Sequence, residues 1–262
     1  MGPTVDLVAD LGEGFGAYSM GDDAALLEVV SSANIACGFH AGDPDIMKAT
    51  VAECVRRGVS IGAHPSFPDL RGFGRRAMDL TADEVRNDVL YQFGALSAFA
   101  AYHGTGVAHI APHGRLGNLV ATRADYAEAV ADAASRINPD LIVLAQDGAL
   151  ADAAAGRQLP VAIVGIADRA YEADGTLVPR SRPGAVIHDP SAIVDRTIRM
   201  VCEGLIETSA GTDLPITADT ILLHGDTPGA VQLARQVRAE LENAGVRIAP
   251  LAQVLAAKVT AA

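Results

Sequence analysis

Residues 34–44, NIACGFHAGDP, decide how the rest of the chain is read. A run of Ile, Ala and Cys stops at His40, a small-residue turn follows, and Asp43-Pro44 then supplies a helix start, a capping carboxylate with proline at the first helical position. The order is buried strand, polar turn, helix. The same order recurs along the chain. Short apolar runs bounded by turn residues stand at TVDLVADLG (4–12), ANIACGFH (33–40), VSIGAHP (59–65), GVAHIAPHG (106–114), LIVLAQDG (141–148), PVAIVGIAD (160–168) and TILLHGD (220–226). Their lengths and their Val, Ile, Leu and Ala content are those of strands buried on both faces of a parallel sheet.

Between the runs lie segments with helical spacing. Asp43–Gly58 ends at a glycine, Thr81–Gly104 opens with Thr81 and Glu84 in capping-box spacing, and 122–137, 189–205 and 227–245 read the same way. Strand and helix alternating about seven times predict right-handed crossovers and a parallel sheet. The glycines at 12, 14 and 16 do not make the dinucleotide fingerprint, so a closed, TIM-like (β/α)7 barrel is expected, one domain over 1–262.

The 262 residues are half hydrophobic with a formal charge of −12, which argues against nucleic acid or an anionic membrane as partner. Three cysteines without C-x-x-C spacing exclude a disulfide framework, and there is neither a secretory signal nor an apolar run long enough to span a membrane, so a cytoplasmic protein is expected. Of the 20 Lys and Arg, only Lys48 and Lys258 are lysines, so any anion site relies on Arg, backbone N–H groups or helix ends.

Active sites of parallel barrels form at the carboxyl ends of the strands. That edge carries Asp10 and Glu13 after the first run, His40 and Asp43 after the second, His64 after the third, and His113 after the fourth. Asp147 follows the fifth, Asp168 and Arg169 the sixth, and His224 and Asp226 the seventh. A lone histidine beside an apolar run is ordinarily a hydrogen-bonded core residue. Four of them ending four strands have no packing rationale and point to a shared polar pocket. Period-two alternation places Asp6, Val8 and Asp10 on one face of the first strand, directed inward, and His109, Ala111 and His113 on one face of the fourth. Carboxylates with neutral imidazoles either hold a divalent metal that activates water or run acid–base chemistry alone. The lean is to the second, and were a metal present, Asp10, His64 and His113 would hold it. No P-loop exists. Arg75, Arg76, Arg169, Arg180 and Arg182 in Gly- and Pro-rich loops, and the helix start at Thr227-Pro228, are candidate holders of a carboxylate or phosphate.

The segments ADLGEGFG (9–16), SANIACGFHAGDP (32–44), GVSIGAHPSFPDLRGFGRR (58–76), PHG (112–114), ADRAYEADGTLVPRSRPGAVI (167–187) and LHGDTPGA (223–230) together closely resemble the LamB/YcsF family, the A component of the prokaryotic ATP-dependent 5-oxoprolinase. The likeness runs from about Val5 to Gly245. It implies a seven-stranded barrel related to glycoside hydrolase and deacetylase barrels, association with B and C subunits, ATP (with Mg) as co-substrate, and opening of 5-oxoproline to glutamate. On that resemblance Asp10 or Glu13 is the candidate base, His40, His64 and His113 are acid–base or oxyanion partners, and Arg75, Arg169, Arg180, His224 and Asp226 bind substrate or phosphate. The family usually reads DLNADLGE and KPHGALYN. Here Val8, Ala111, Arg115 and Gly117 depart from it, which replaces two polar inward residues by apolar ones. The alternatives are a metal-dependent, deacetylase-like hydrolase of a sugar-like substrate and a non-catalytic paralog.

Overall fold

The structure is a computed structural model describing residues 2–225 and 229–261. The strands are β1 (Thr4–Leu11), β2 (Ser32–Ala36), β3 (Ser60–His64), β4 (His109–Ile110), β5 (Ile142–Ala145), β6 (Val161–Ile166), β7 (Leu205–Glu207), β8 (Asp213–Pro215), β9 (Thr220–Leu223) and β10 (Arg247–Ile248). The α-helices are α1 (Asp23–Leu26), α2 (Pro44–Arg57), α3 (Ala82–Tyr102), α4 (Gly114–Val120), α5 (Ala124–Ile137), α6 (Ala149–Gly156), α7 (Pro190–Ile198), α8 (Ala230–Asn243) and α9 (Leu251–Ala261).

The seven predicted strands form the barrel. They run parallel in the order β1-β2-β3-β4-β5-β6-β9, and β9 closes onto β1 with Asp6 opposite Thr220 and Val8 opposite Leu222. β10 adds to the start of β1. The β7–β8 hairpin, antiparallel and outside the barrel, has no signal in the sequence pattern. The helix signals operate as read. Asp43 accepts from the Asp45 and Ile46 amides, Thr81 and Glu84 form a reciprocal capping box, Asp189 caps α7, and Gly58 ends α2 at φ 69°. The start of α8 at Thr227-Pro228 lies outside the described residues. Among the described residues, no helix is long and apolar enough to cross a membrane, and Cys37, Cys54 and Cys202 are free thiols.

A large apolar layer fills the space between barrel and helices. A smaller cluster of Val8, Ala111, Ile142, Leu144, Ala162, Val164, Ile166 and Leu222 fills the barrel interior, and Leu251 with Leu255 of α9 joins it from below. The interior is therefore divided. The β5, β6 and β9 side is aliphatic, whereas β1 to β4 bring Asp6, Asp10, Ser32, Asn34, His64 and His109 inward, all buried. Near the floor, Asp6 accepts hydrogen bonds from the hydroxyls of Ser31 (2.7 Å), Ser32 (2.7 Å) and Thr220 (2.6 Å). Burial nonetheless pushes its carboxyl up to about 6.

Gly62 of β3 leaves room for the His109 ring: a Cβ there would lie 1.9 Å from His109 Nε2. Gly62→Ala is expected to destabilise the fold by about 1–3 kcal/mol through overpacking. Gly94→Ala, at an exposed α3 position with nothing within 4 Å, is expected to gain about 0.5–1 kcal/mol. Paired thermal denaturation curves check both. The raised Asp6 pKa means the folded chain prefers the protonated carboxyl. This group's contribution is intact below the ordinary value of 3.8 and is lost as pH rises through about 6. Relative to Asp6→Asn, wild-type stability is expected to fall by on the order of 3 kcal/mol between about pH 4 and 7 in urea titrations.

Candidate active site

The carboxyl ends of the strands surround a cavity of about 490 Å³. Asp10, Asn34, His64 and His113 form its polar wall, and Leu144, Val164, Ile166 and Leu222 form the opposite, aliphatic wall. Arg75, Arg115, Arg169 and Arg180 line its outer part.

Asp10 closes β1 beside Asn34 of β2, its partner in strand register. Asn34 Nδ2 donates to Asp10 Oδ1 (2.9 Å), and Asn34 Oδ1 accepts from His109 Nε2 (2.8 Å). His109 thus anchors the amide that orients Asp10 instead of reaching the cavity. The fourth strand stops after Ile110, and Pro112 turns the chain, so the predicted shared face of His109 and His113 is broken there. Burial, with the His64 charge behind it, lowers His109 to about 3.

His64 and His113 meet at the base of the cavity. His64 Nδ1 donates to the Ala111 carbonyl (2.6 Å) and His113 Nε2 donates to the Phe73 carbonyl (2.9 Å). A carbonyl only accepts, so each ring carries a proton on that nitrogen. Their remaining nitrogens, His64 Nε2 and His113 Nδ1, face each other at 2.9 Å. Asp10 Oδ1 lies 3.3 Å from the first and Glu13 Oε1 3.6 Å from the second. Burial would raise Asp10, but the His64 charge and hydrogen bond, with His224 and His113 beyond, hold it well below the carboxylate range. Burial brings His113 down to about 3.

Glu13 and His40 occupy the layer behind. After β2 the chain turns back through a bond from the Gly38 amide to the Ala41 carbonyl (2.9 Å), which carries His40 under His113, ring stacked on ring at 3.7 Å. His40 Nε2 donates to Glu13 Oε1 at 3.0 Å, while His40 Nδ1 is buried without a partner. Burial, then His113 and His64, keep His40 well below the ordinary imidazole pKa. Both residues line a second cavity of about 280 Å³, not the main one.

Across the main cavity, His224 Nδ1 lies 2.8 and 2.9 Å from the two Asp168 oxygens. Burial works against the His224 proton, but the Asp168 and Asp10 charges outweigh it and raise the pKa. Asp168 is lowered in return, the charge and hydrogen bond of His224 overcoming its burial. Arg180 Nη2 lies 3.4 Å from His224 Nε2. Arg169 is only 3% exposed, its Nε and Nη2 held by the Ala185 (3.0 Å) and Val178 (2.6 Å) carbonyls. Among the described residues no carboxylate pairs with it, and burial takes its pKa down to about 10.

Of the other sequence candidates, Asp43 caps α2, Asp147 is exposed, Arg76 pairs with Asp69, Arg182 pairs with Glu172, and Arg75 lies over the Phe73 ring (4.8 Å) at the cavity edge. Asp226 lies outside the described residues. Val8 is fully buried in the interior cluster, and Ala111, Arg115 and Gly117 all line the cavity, so the departures at 8 and 111 do make the interior more apolar. Asn34 carries no signal of its own in the sequence; its strand register with Asp10 is what finds it. The ATP that the resemblance implies finds no Gly-rich phosphate loop among the described residues. Glycines 12, 14 and 16 lead only into the four-residue α1, Lys48 is exposed on α2, and Lys258 pairs with Asp219.

The fold is that of the deacetylase-type barrels. A T48 deacetylase with substrate superposes with a TM-score of 0.51 over 97% of this chain and 92% of that one, at 17% identity. The chain matches the LamB/YcsF family over residues 5–256 and belongs to it. The lactam utilization protein of Thermus thermophilus is 43% identical, with a TM-score of 0.89 over 94% of this chain and 99% of that one. The 5-oxoprolinase A subunit of Azorhizobium caulinodans is 51% identical over 251 residues, 95% of this chain and 99% of the relative.

Asp168→Asn removes the charge that sustains the His224 proton. The His224 imidazole is then expected to titrate below its wild-type value, read from its ¹H–¹⁵N resonances against pH.

Proposed function

We propose that this chain opens the ring of 5-oxoproline, as the A component of a 5-oxoprolinase whose B and C subunits carry out the ATP-dependent activation. The relatives' names point to the reaction, and a cavity of about 490 Å³ with acidic, imidazole and guanidinium groups facing an aliphatic wall supports it. The observation that carries the reading is Arg169, a buried guanidinium without a carboxylate partner among the described residues, beside the cavity wall where His224 holds its proton. A small anionic ring satisfies that arrangement. Its carboxylate meets Arg169 and Arg180, its two methylenes lie against Leu144, Val164 and Leu222, and its amide faces Asp10 and His64.

A lactam carbonyl resists water because the nitrogen lone pair is delocalised into it. Phosphorylation of the carbonyl oxygen by the partner subunits removes that protection and places a second anion in the cavity, which Arg75 and Arg115 accommodate. Asp10, oriented by Asn34, takes the proton of the attacking water, with His64 3.3 Å behind it to stabilise the transfer. His224 donates a proton to the ring nitrogen as the C–N bond breaks, which leaves the new carboxyl as its acyl phosphate; a second water then releases phosphate and gives glutamate, and Asp168 stabilises the imidazole orientation throughout. This chain binds no ATP in this scheme. Its task is hydrolysis of the activated ring.

The test is co-expression with B and C subunits and measurement of glutamate and ADP from 5-oxoproline. Asp10→Asn and His224→Ala are expected to lower kcat by about 100-fold or more. Arg169→Gln is expected to act chiefly through KM, since it meets the unreacting carboxylate. Absence of turnover by a folded wild-type complex, or full activity of folded Asp10→Asn, defeats the assignment.

A further inference from the structure

Among the described residues, two other than glycine have a positive φ, Gln158 and Phe73. Gln158 is exposed in the turn after α6. Phe73 stands at the mouth of the barrel between Gly72 and Gly74, at φ 54° and ψ 38°. A bulky side chain occupies that left-handed region only where its surroundings hold it there. Glycine would adopt the same backbone without strain. The phenyl group is therefore what this position gains in return.

The strap from Asp69 to Arg76 is fixed on both sides of Phe73. The Asp69 carboxylate accepts from the Gly72 amide (2.9 Å) and from Arg76 Nε (2.9 Å), and the Asp69 carbonyl accepts from the Gly74 amide (3.0 Å). Beyond it, the Gly74 carbonyl accepts from the Arg115 amide (2.9 Å). A Cβ at position 74 would lie 2.9 Å from both His113 Cδ2 and His40 Cβ, so the strap rests directly on the imidazole layer. The Phe73 ring stands at 83° to His40 and 88° to His113, with centroids 5.4 and 5.2 Å away. Edge-to-face contact of this kind fixes relative orientation. The Arg75 guanidinium lies over the same ring at 4.8 Å, and the Phe73 carbonyl accepts from His113 Nε2 (2.9 Å). Phe73 lines the rear cavity with Glu13 and His40, whereas His113 and Arg75 line the main one.

We propose that Phe73 is a positioning residue, which locks the His113 imidazole and steadies Arg75 at the cavity edge without touching substrate. A carbonyl alone leaves an imidazole free to swing about its hydrogen bond. A neighbouring ring alone leaves it free to turn over and exchange its two edges. Together they leave one orientation, in which His113 Nδ1 meets His64 Nε2 at 2.9 Å. His64 in turn lies 3.3 Å from Asp10. The placement of Phe73 thereby reaches the carboxylate at the cavity wall through two imidazoles. Its effect on turnover rests on the proposed hydrolase reading; its hold on His113 does not.

Two measurements test this. One takes kcat and KM for 5-oxoproline, from glutamate formed by the chain with its B and C subunits, well below each variant's thermal midpoint. The other follows exchange of the His113 Nε2–H with solvent in the chain alone, by ¹H–¹⁵N spectra at one fixed pH. Phe73→Leu and Phe73→Gly are each expected to lower kcat by about 10- to 100-fold with KM little changed. Both are expected to speed the exchange, which is slow in the wild type. Phe73→Tyr, which keeps the aromatic face, is expected to recover most of the rate and the slow exchange. Unchanged kcat in folded Phe73→Leu and Phe73→Gly, a loss confined to KM, or exchange as slow in both as in the wild type overturns the proposal. Should those two variants fail to fold, fast exchange in the wild type or in Phe73→Tyr overturns it, and slow exchange in both upholds it. No turnover by a folded wild-type complex defeats the hydrolase reading instead, and the exchange comparison then decides the role of Phe73.

Discussion

Closure of β9 onto β1 is the constraint on which everything else rests. A seven-stranded parallel barrel turns every second side chain into a narrow interior, and those side chains must satisfy one another there. β1 bears most of this demand, pairing with β2, β9 and β10, and its inward residues Asp6, Val8 and Asp10 mark three successive levels. The lowest is satisfied by hydroxyls, the middle by aliphatic packing, and the uppermost by an amide and imidazoles. The site is the level at which the barrel no longer fills itself.

That upper level is organised by main-chain carbonyls more than by pairs of side chains. Ala111 and Phe73 dictate where the protons of His64 and His113 reside, and the backbone reaches those positions because Pro112 and the glycines around it bend the chain out of the sheet. Opposite, Asp168 sets the state of His224 by direct charge. The two sides of the cavity thus hold imidazoles in contrasting states, proton-poor at His113 and proton-rich at His224. Such a separation suits a reaction that removes a proton at one atom and delivers one at another.

Much of this is legible in the sequence because the strands are short, aliphatic and ended by polar residues, and because Asp43, Thr81, Glu84, Asp189 and Gly58 are local signals with local consequences. What is not legible depends on contacts distant along the chain. β10 is two residues long and exists only through Thr4 and Val5. The β7–β8 hairpin lies in a polar stretch without alternation. His40 ends an apolar run just as His64 does, yet the turn at Gly38 folds it behind the cavity, a difference decided by a hydrogen bond to Ala41 and by stacking on His113. His109 and His113 share a parity that holds only if the strand continues, and it stops at Ile110.

The C-terminal helix α9 brings Leu251 and Leu255 against the lower end of the interior cluster, above which sits the Asp6 layer. The chamber is therefore a dead end. In the proposed reaction the compact ring arrives with one carboxylate and departs as an open chain with two, and it must leave past Arg169 and Arg180, the same cations that drew it in. Departure, not the bond-breaking step, becomes the stage at which a tighter arginine grip would slow the cycle.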